Sequence, residues 1–234
     1  MIYINKLHID TVQAVNLMMK FPERHMQFYR AIADNYAKNP GDMAMALAYG
    51  FFKYFEITRI VESEDLINTD ILKVVEVYDR ILESTPNDWF IYMLKILLYN
   101  KLPKSMKSEK DKITTLNRML QIQQESSRKE PYFILPYIFY AEYWYGQNDQ
   151  TGALEYLHEG LKEVPTGVIS YPALNPHLFY PIKEFYYRLY NSEEFEFAIA
   201  IKKVSSVYFP SESEKLYKVE QLKISEMQIT GKEK

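Results

Sequence analysis

The side chains able to do chemistry are few and scattered. Four histidines, His8, His25, His158 and His177, occur without an H-E-x-x-H spacing and without an accompanying constellation of carboxylates or cysteines. There is no cysteine, which removes disulfides, thiolate metal sites and a cysteine nucleophile together. No glycine-rich phosphate loop, EF-hand loop or G-x-S-x-G elbow is present. The acidic pair Glu193 and Glu194 follows Ser192 where a helix is expected to begin, and there it suits the helix macrodipole better than paired-carboxylate catalysis. The run KLPKSMKSEKDK, residues 101–112, has five lysines against two acids but no arginine and no interleaved aromatic, the pattern of a solvated loop rather than a nucleic-acid surface. These residues point away from an enzyme, and neither a metal nor a cofactor is expected.

What the chain has in excess is tyrosine, 21 copies in 234 residues. Tyrosines beyond the needs of a core can line a binding surface, because each ring offers contact area with a hydroxyl at its tip. The charges nearly balance, 28 Lys plus Arg against 31 Asp plus Glu, so the net of −3 gives no general attraction to nucleic acid or an anionic membrane. The opening MIYINKLHID lacks the basic start and apolar stretch of a signal peptide, and the longest apolar run, Trp89 to Tyr99, is interrupted by Lys95 and is far shorter than the ~20 residues a spanning helix needs. The expected location is cytoplasmic, with a protein or peptide as partner and self-association possible. Seven glycines are too few for an all-β chain, and apolar spacings of three and four, as in MAMALAYGFFKYF and ALEYLHEGLKEV, predict an all-α fold.

Prolines mark its organisation. Pro40, Pro86, Pro131, Pro165 and Pro210 each follow an amphipathic run. Pro40 to Pro86 is 46 residues, Pro86 to Pro131 is 45, Pro131 to Pro165 is 34 and Pro165 to Pro210 is 45. Such intervals suit a helical repeat of 34 residues with insertions. If Pro165 closes a repeat that opens at Ile134, small residues fall on Ala141, Ala153 and Gly160 and bulky ones on Tyr137, Tyr140, Trp144 and Leu157. On these residues the segment resembles a tetratricopeptide repeat. A later unit places Ala198 and Ser205 before Pro210, and Gly50 takes a small position near the N-terminus, whereas Val74 and Ile81 stand where small residues belong.

The resemblance implies a right-handed α-α superhelix of helical hairpins, a single domain over 1–228 with a disordered tail at 229–234. The expected helices run near 9–20 and 23–38, then in hairpins 42–62 with 69–84, 88–100 with 108–128, 133–147 with 150–163, and 177–190 with 193–208. A C-terminal capping helix is expected near 212–228, opened by Ser211 and Glu214 and carrying Leu216, Val219 and Leu222 on one face. By the same resemblance the first helix of each pair lines a concave groove through its second, fifth, ninth and twelfth positions. These are Leu135, Ile138, Glu142 and Tyr145 in one unit and Tyr180, Lys183, Tyr187 and Tyr190 in the last. The function expected is a non-catalytic scaffold or adaptor holding a peptide or partner protein in that groove. A short-peptide sensor resembling bacterial quorum-sensing receptors and an accessory subunit of an enzyme complex are the alternatives.

Overall fold

A computed structural model describes residues 4–59, 64–102 and 109–214. Among them are ten α-helices, two short 3-10 turns and no strand, so the chain is all-α as expected. Two compact units form, Met1–Ser127 and Arg128–Lys234. The first holds α1 (Lys6–Met18), α2 (His25–Lys38), α3 (Met43–Arg59), α4 (Glu64–Ser84), α5 (Trp89–Lys101) and α6 (Glu109–Gln124). The second holds α7 (Ile134–Gly146), α8 (Gln150–Glu163), α9 (Asn175–Asn191) and α10 (Phe195–Tyr208). Packing is sequential: α3 lies on α4, α5 on α6, α7 on α8 and α9 on α10, with α1 and α2 both against α3. This matches the hairpin pairs the sequence predicts. The expected capping helix falls almost wholly beyond Glu214, outside the described residues, and residues 103–108 of the lysine run are outside them too.

Short polar side chains start the helices. Asn5 accepts from the backbone N–H of His8 at 3.0 Å while His8 Nδ1 accepts from the Asn5 N–H at 3.3 Å, a reciprocal cap. Asp42, Asp88 and Asp149 accept from backbone N–H groups in the first turns of α3, α5 and α8. The Asp88 carboxylate also reaches His8 Nε2 at 3.0 Å, and the His8 ring stacks on Phe90 with centroids 4.6 Å apart. One buried histidine thus ties the start of α1 to the start of α5. The apolar run from Trp89 is buried along α5, and Lys95 is tolerated there because its stem lies in the core while Nζ reaches Asp79 Oδ1 at 2.5 Å.

Small residues sit where helices approach closely. Ala141 and Ala153 are fully buried, and a Cβ added at Gly160 would meet Cβ and Cγ of Tyr137 at 2.7 Å. Gly50 does the same for α3, where a Cβ would lie 2.5 Å from Tyr78 Cε1. The hairpin turns of the second unit also repeat. Asn148 and Glu193, 45 residues apart like Pro165 and Pro210, both have φ of 61°. The following N–H groups, of Asp149 and Glu194, close the helix ends on Trp144 and Leu189 carbonyls at 3.0 Å each. Asparagine suits this left-handed geometry; glutamate does not, and so gives no sequence signal for the turn.

The prolines divide into two uses. Pro40, Pro86 and Pro165 follow the ends of α2, α4 and α8. Pro131 instead opens the 3-10 turn Pro131–Phe133 that leads into α7, and Pro210 begins a new helical turn after α10. Proline is favoured at a first helical position because its missing N–H would have no partner there. Helix α9 also runs through Pro181 rather than ending at it.

Candidate functional site

Helix α9 carries four of the eight candidate groove residues at spacings of three and four, which puts them on one face. Tyr180 is 40% exposed, Lys183 is exposed, and Tyr187 and Tyr190 are half-buried. Lys183 Nζ lies 5.8 Å from the centre of the Tyr187 ring. Tyr187 meets buried Tyr186 edge-on at 5.6 Å, Tyr186 stacks on Tyr190 at 6.2 Å, and Tyr190 meets Phe195 of α10 edge-on at 5.7 Å. Tyr187 and Tyr190 are therefore each held by a neighbouring ring. Such a row presents aromatic surface with little side-chain freedom left to lose on binding.

The candidates on α7 have a different situation. Glu142 Oε1 accepts from Arg188 Nη2 at 2.7 Å, joining α7 to α9 beside the tyrosine row. The Arg188 guanidinium sits 5.2 Å from the Phe185 ring. Tyr145 packs between Phe185 at 5.7 Å and Phe197 at 5.6 Å, and so ties three helices together. Ile138, at 1% exposure, is part of the core and has no surface to give a partner; Leu135 is likewise buried. The structure brings Glu142 to the edge of the α9 row through Arg188 and keeps Ile138 away from solvent.

A second tyrosine group, which the sequence reading did not single out, lies in the first unit. Tyr36 and Tyr49 stack at 5.0 Å, Tyr29 lies 6.3 Å from Tyr49, and Lys53 Nζ is 4.4 Å from the centre of the Tyr29 ring. Arg80 donates to the Tyr36 hydroxyl at 3.4 Å. Beside this pair is a cleft of about 330 Å³ lined by Tyr36, Met43, Ala46, Arg80 and Ile81 among others. The partners come from three helices, so no local motif announces them. Among the described residues no group of three or more histidines and acids is placed to hold a metal, and no helix is long and apolar enough to cross a membrane.

Several phenols are held protonated. Burial first, then Glu159 and Glu163, raises Tyr137 from its ordinary 10.0 to about 12. Burial and neighbouring Tyr29 raise Tyr49 to about 12, and a hydrogen bond to Glu184 with burial does so for Tyr180. A phenol whose folded pKa is raised favours folding fully below the unfolded pKa, and that contribution is lost as pH rises through the folded value. Stability should therefore hold to about pH 10 and fall toward about pH 12. Urea midpoints measured across that window should decline, and Tyr137→Phe should flatten the decline. An unchanged slope in Tyr137→Phe would show that this phenol is not among the groups responsible.

A comparison with protein-family models, with curated proteins and with solved structures finds no match to this chain. The described residues form sequentially packed helices, with a tyrosine-bearing face on α9.

Proposed function

We propose that this protein is a non-catalytic scaffold, built of tetratricopeptide-like hairpins, that holds a peptide or an extended segment of a partner protein against α9. The observation that carries the reading is the row Tyr180, Lys183, Tyr187 and Tyr190, exposed or half-exposed on one helix face and buttressed from beneath by Tyr186. Fixed aromatic rings beside a cation are the side chains that concentrate binding energy at protein interfaces. From Tyr180 to Tyr190 the helix rises about 15 Å, enough to lie along roughly four or five extended residues of a ligand. Lys183, Arg188 and Glu184 give the row both signs of charge with which to fix register.

Affinity purification from the native organism's lysate tests this. The wild-type chain should retain a specific protein that Tyr187→Ala/Tyr190→Ala does not, with a loss of about 2 kcal/mol or more, some thirty-fold in affinity. Circular dichroism and melting temperature should stay near those of wild type, because both rings are partly exposed. A double variant that keeps every partner, or one that unfolds, removes the basis of the proposal.

A further inference from the structure

Helix α10 carries an exposed row of its own at steps of four: Phe195 at 50% exposure, Ile199 at 53%, Lys203, and Val207 at 37%. Its opposite face, Phe197, Ile201, Val204 and Tyr208, fills the core of the second unit. Single exposed apolar residues are ordinary, but Phe195 and Ile199 adjoin on this ridge and Val207 continues it beyond Lys203. Ridges of residues four apart are also the rows by which helices most commonly interlock.

From exposed Ile199, with Ala200 beside it and opposite charges at Glu196 and Lys203, we infer that α10 is a contact surface for a second copy of the same chain, set antiparallel about a two-fold axis between Ile199 and Ala200. A symmetric contact requires a self-complementary face. Glu196 lies three residues before Ile199 and Lys203 three residues after Ala200, so in that arrangement each copy's Glu196 faces the other's Lys203. Both residues are exposed. At the centre each Ile199 meets the half-exposed Ala200 of the other copy, a large residue against a small one, which lets the helices approach. The charges thus flank an apolar centre, and reversing one helix to a parallel arrangement would set like charges together. Phe195 touches Tyr190 of the tyrosine row, but the paired residues Glu196, Ile199, Ala200 and Lys203 all belong to α10, and the contact does not rest on the function proposed for α9.

One helix face is a small interface, so association is expected to be weak, with a dissociation constant on the order of 10–100 μM. Sedimentation equilibrium of the full chain over a range spanning that value should show the mass rising from 27.9 kDa toward twice that figure. Ile199→Asp should abolish the rise while leaving the circular dichroism intact, since the residue is exposed. Glu196→Lys and Lys203→Glu should each weaken self-association by about tenfold or more. Mixed in equal amounts, these two variants should form a heterodimer, because one then carries only positive and the other only negative charge at the two positions. The mixing result keeps the test decisive even if Ile199→Asp fails to fold. A wild-type chain that is monomeric throughout would overturn the inference and leave this face to residues 215–234 or to another protein. Undiminished dimers of Ile199→Asp, or a mixture that stays monomeric, would overturn it too.

Discussion

Replacing Trp89 with alanine is expected to destabilise the first unit by about 3–5 kcal/mol. The indole is wholly buried at the first position of α5, beside Asp88, which caps that helix and holds His8. Removing it deletes the largest fully buried side chain of the described core and leaves a cavity between helices fixed by other contacts. Against a total stability of about 5–15 kcal/mol, that loss brings the unit near its unfolding threshold. Trp89→Phe keeps an aromatic ring in the same space and should lose less than the alanine variant. The readout is clean because the chain has two tryptophans, Trp89 and Trp144, one in each unit. In either variant fluorescence excited selectively at the indole reports only the surroundings of Trp144, while far-ultraviolet circular dichroism reports both units. A urea midpoint for Trp89→Ala within 1 kcal/mol of wild type, converted with a typical slope, would contradict the burial argument.

The sequence showed most where the determinants were local. Helix identity follows from apolar spacing within a few turns, and the closeness of α7 and α8 follows from Ala141, Ala153 and Gly160 because the three lie within one short segment. Edges were harder to place. Helix α4 begins at Glu64, five residues before the expected 69, and α6 ends at Gln124, before the Ser126 turn rather than at 128. Long-range pairs had no signal at all. Asp88 can be read as a helix cap, but nothing near His8 announces a partner 80 residues away. The site divided in the same manner. The α9 residues were reached through the positions the tetratricopeptide resemblance implies, and Ile138 met the same positional rule and yet is buried, because a position number in a repeat does not say what packs on it. The Tyr29, Tyr36 and Tyr49 group, assembled from separate helices, could not be read from spacing.

Gly160→Ala should lower the stability of the second unit by about 1–2 kcal/mol, although alanine is the better helix former. Two terms oppose each other. Exchanging glycine for alanine inside a helix gains about 0.5–1 kcal/mol through lost backbone freedom in the unfolded chain. The new methyl, however, would sit 2.7 Å from Cβ and Cγ of Tyr137 and 3.0 Å from Ile134 Cδ1. Those Tyr137 atoms are the root of the side chain, so no rotation clears them; α8 must move off α7, and the contacts around Ala141 and Ala153 loosen with it. Overpacking of this kind costs about 1–3 kcal/mol, which outweighs the backbone gain, and Gly160→Leu should lose more. Gly146 supplies the comparison, since a Cβ there meets nothing within 4 Å. Gly146→Ala should be neutral or slightly stabilising. Urea denaturation of the two alanine variants separates backbone propensity from helix approach, because the first term acts in both proteins and the second in one. If they unfold at the same midpoint, small side chains are not what sets the distance between these helices, and the likeness to a tetratricopeptide hairpin loses its physical content.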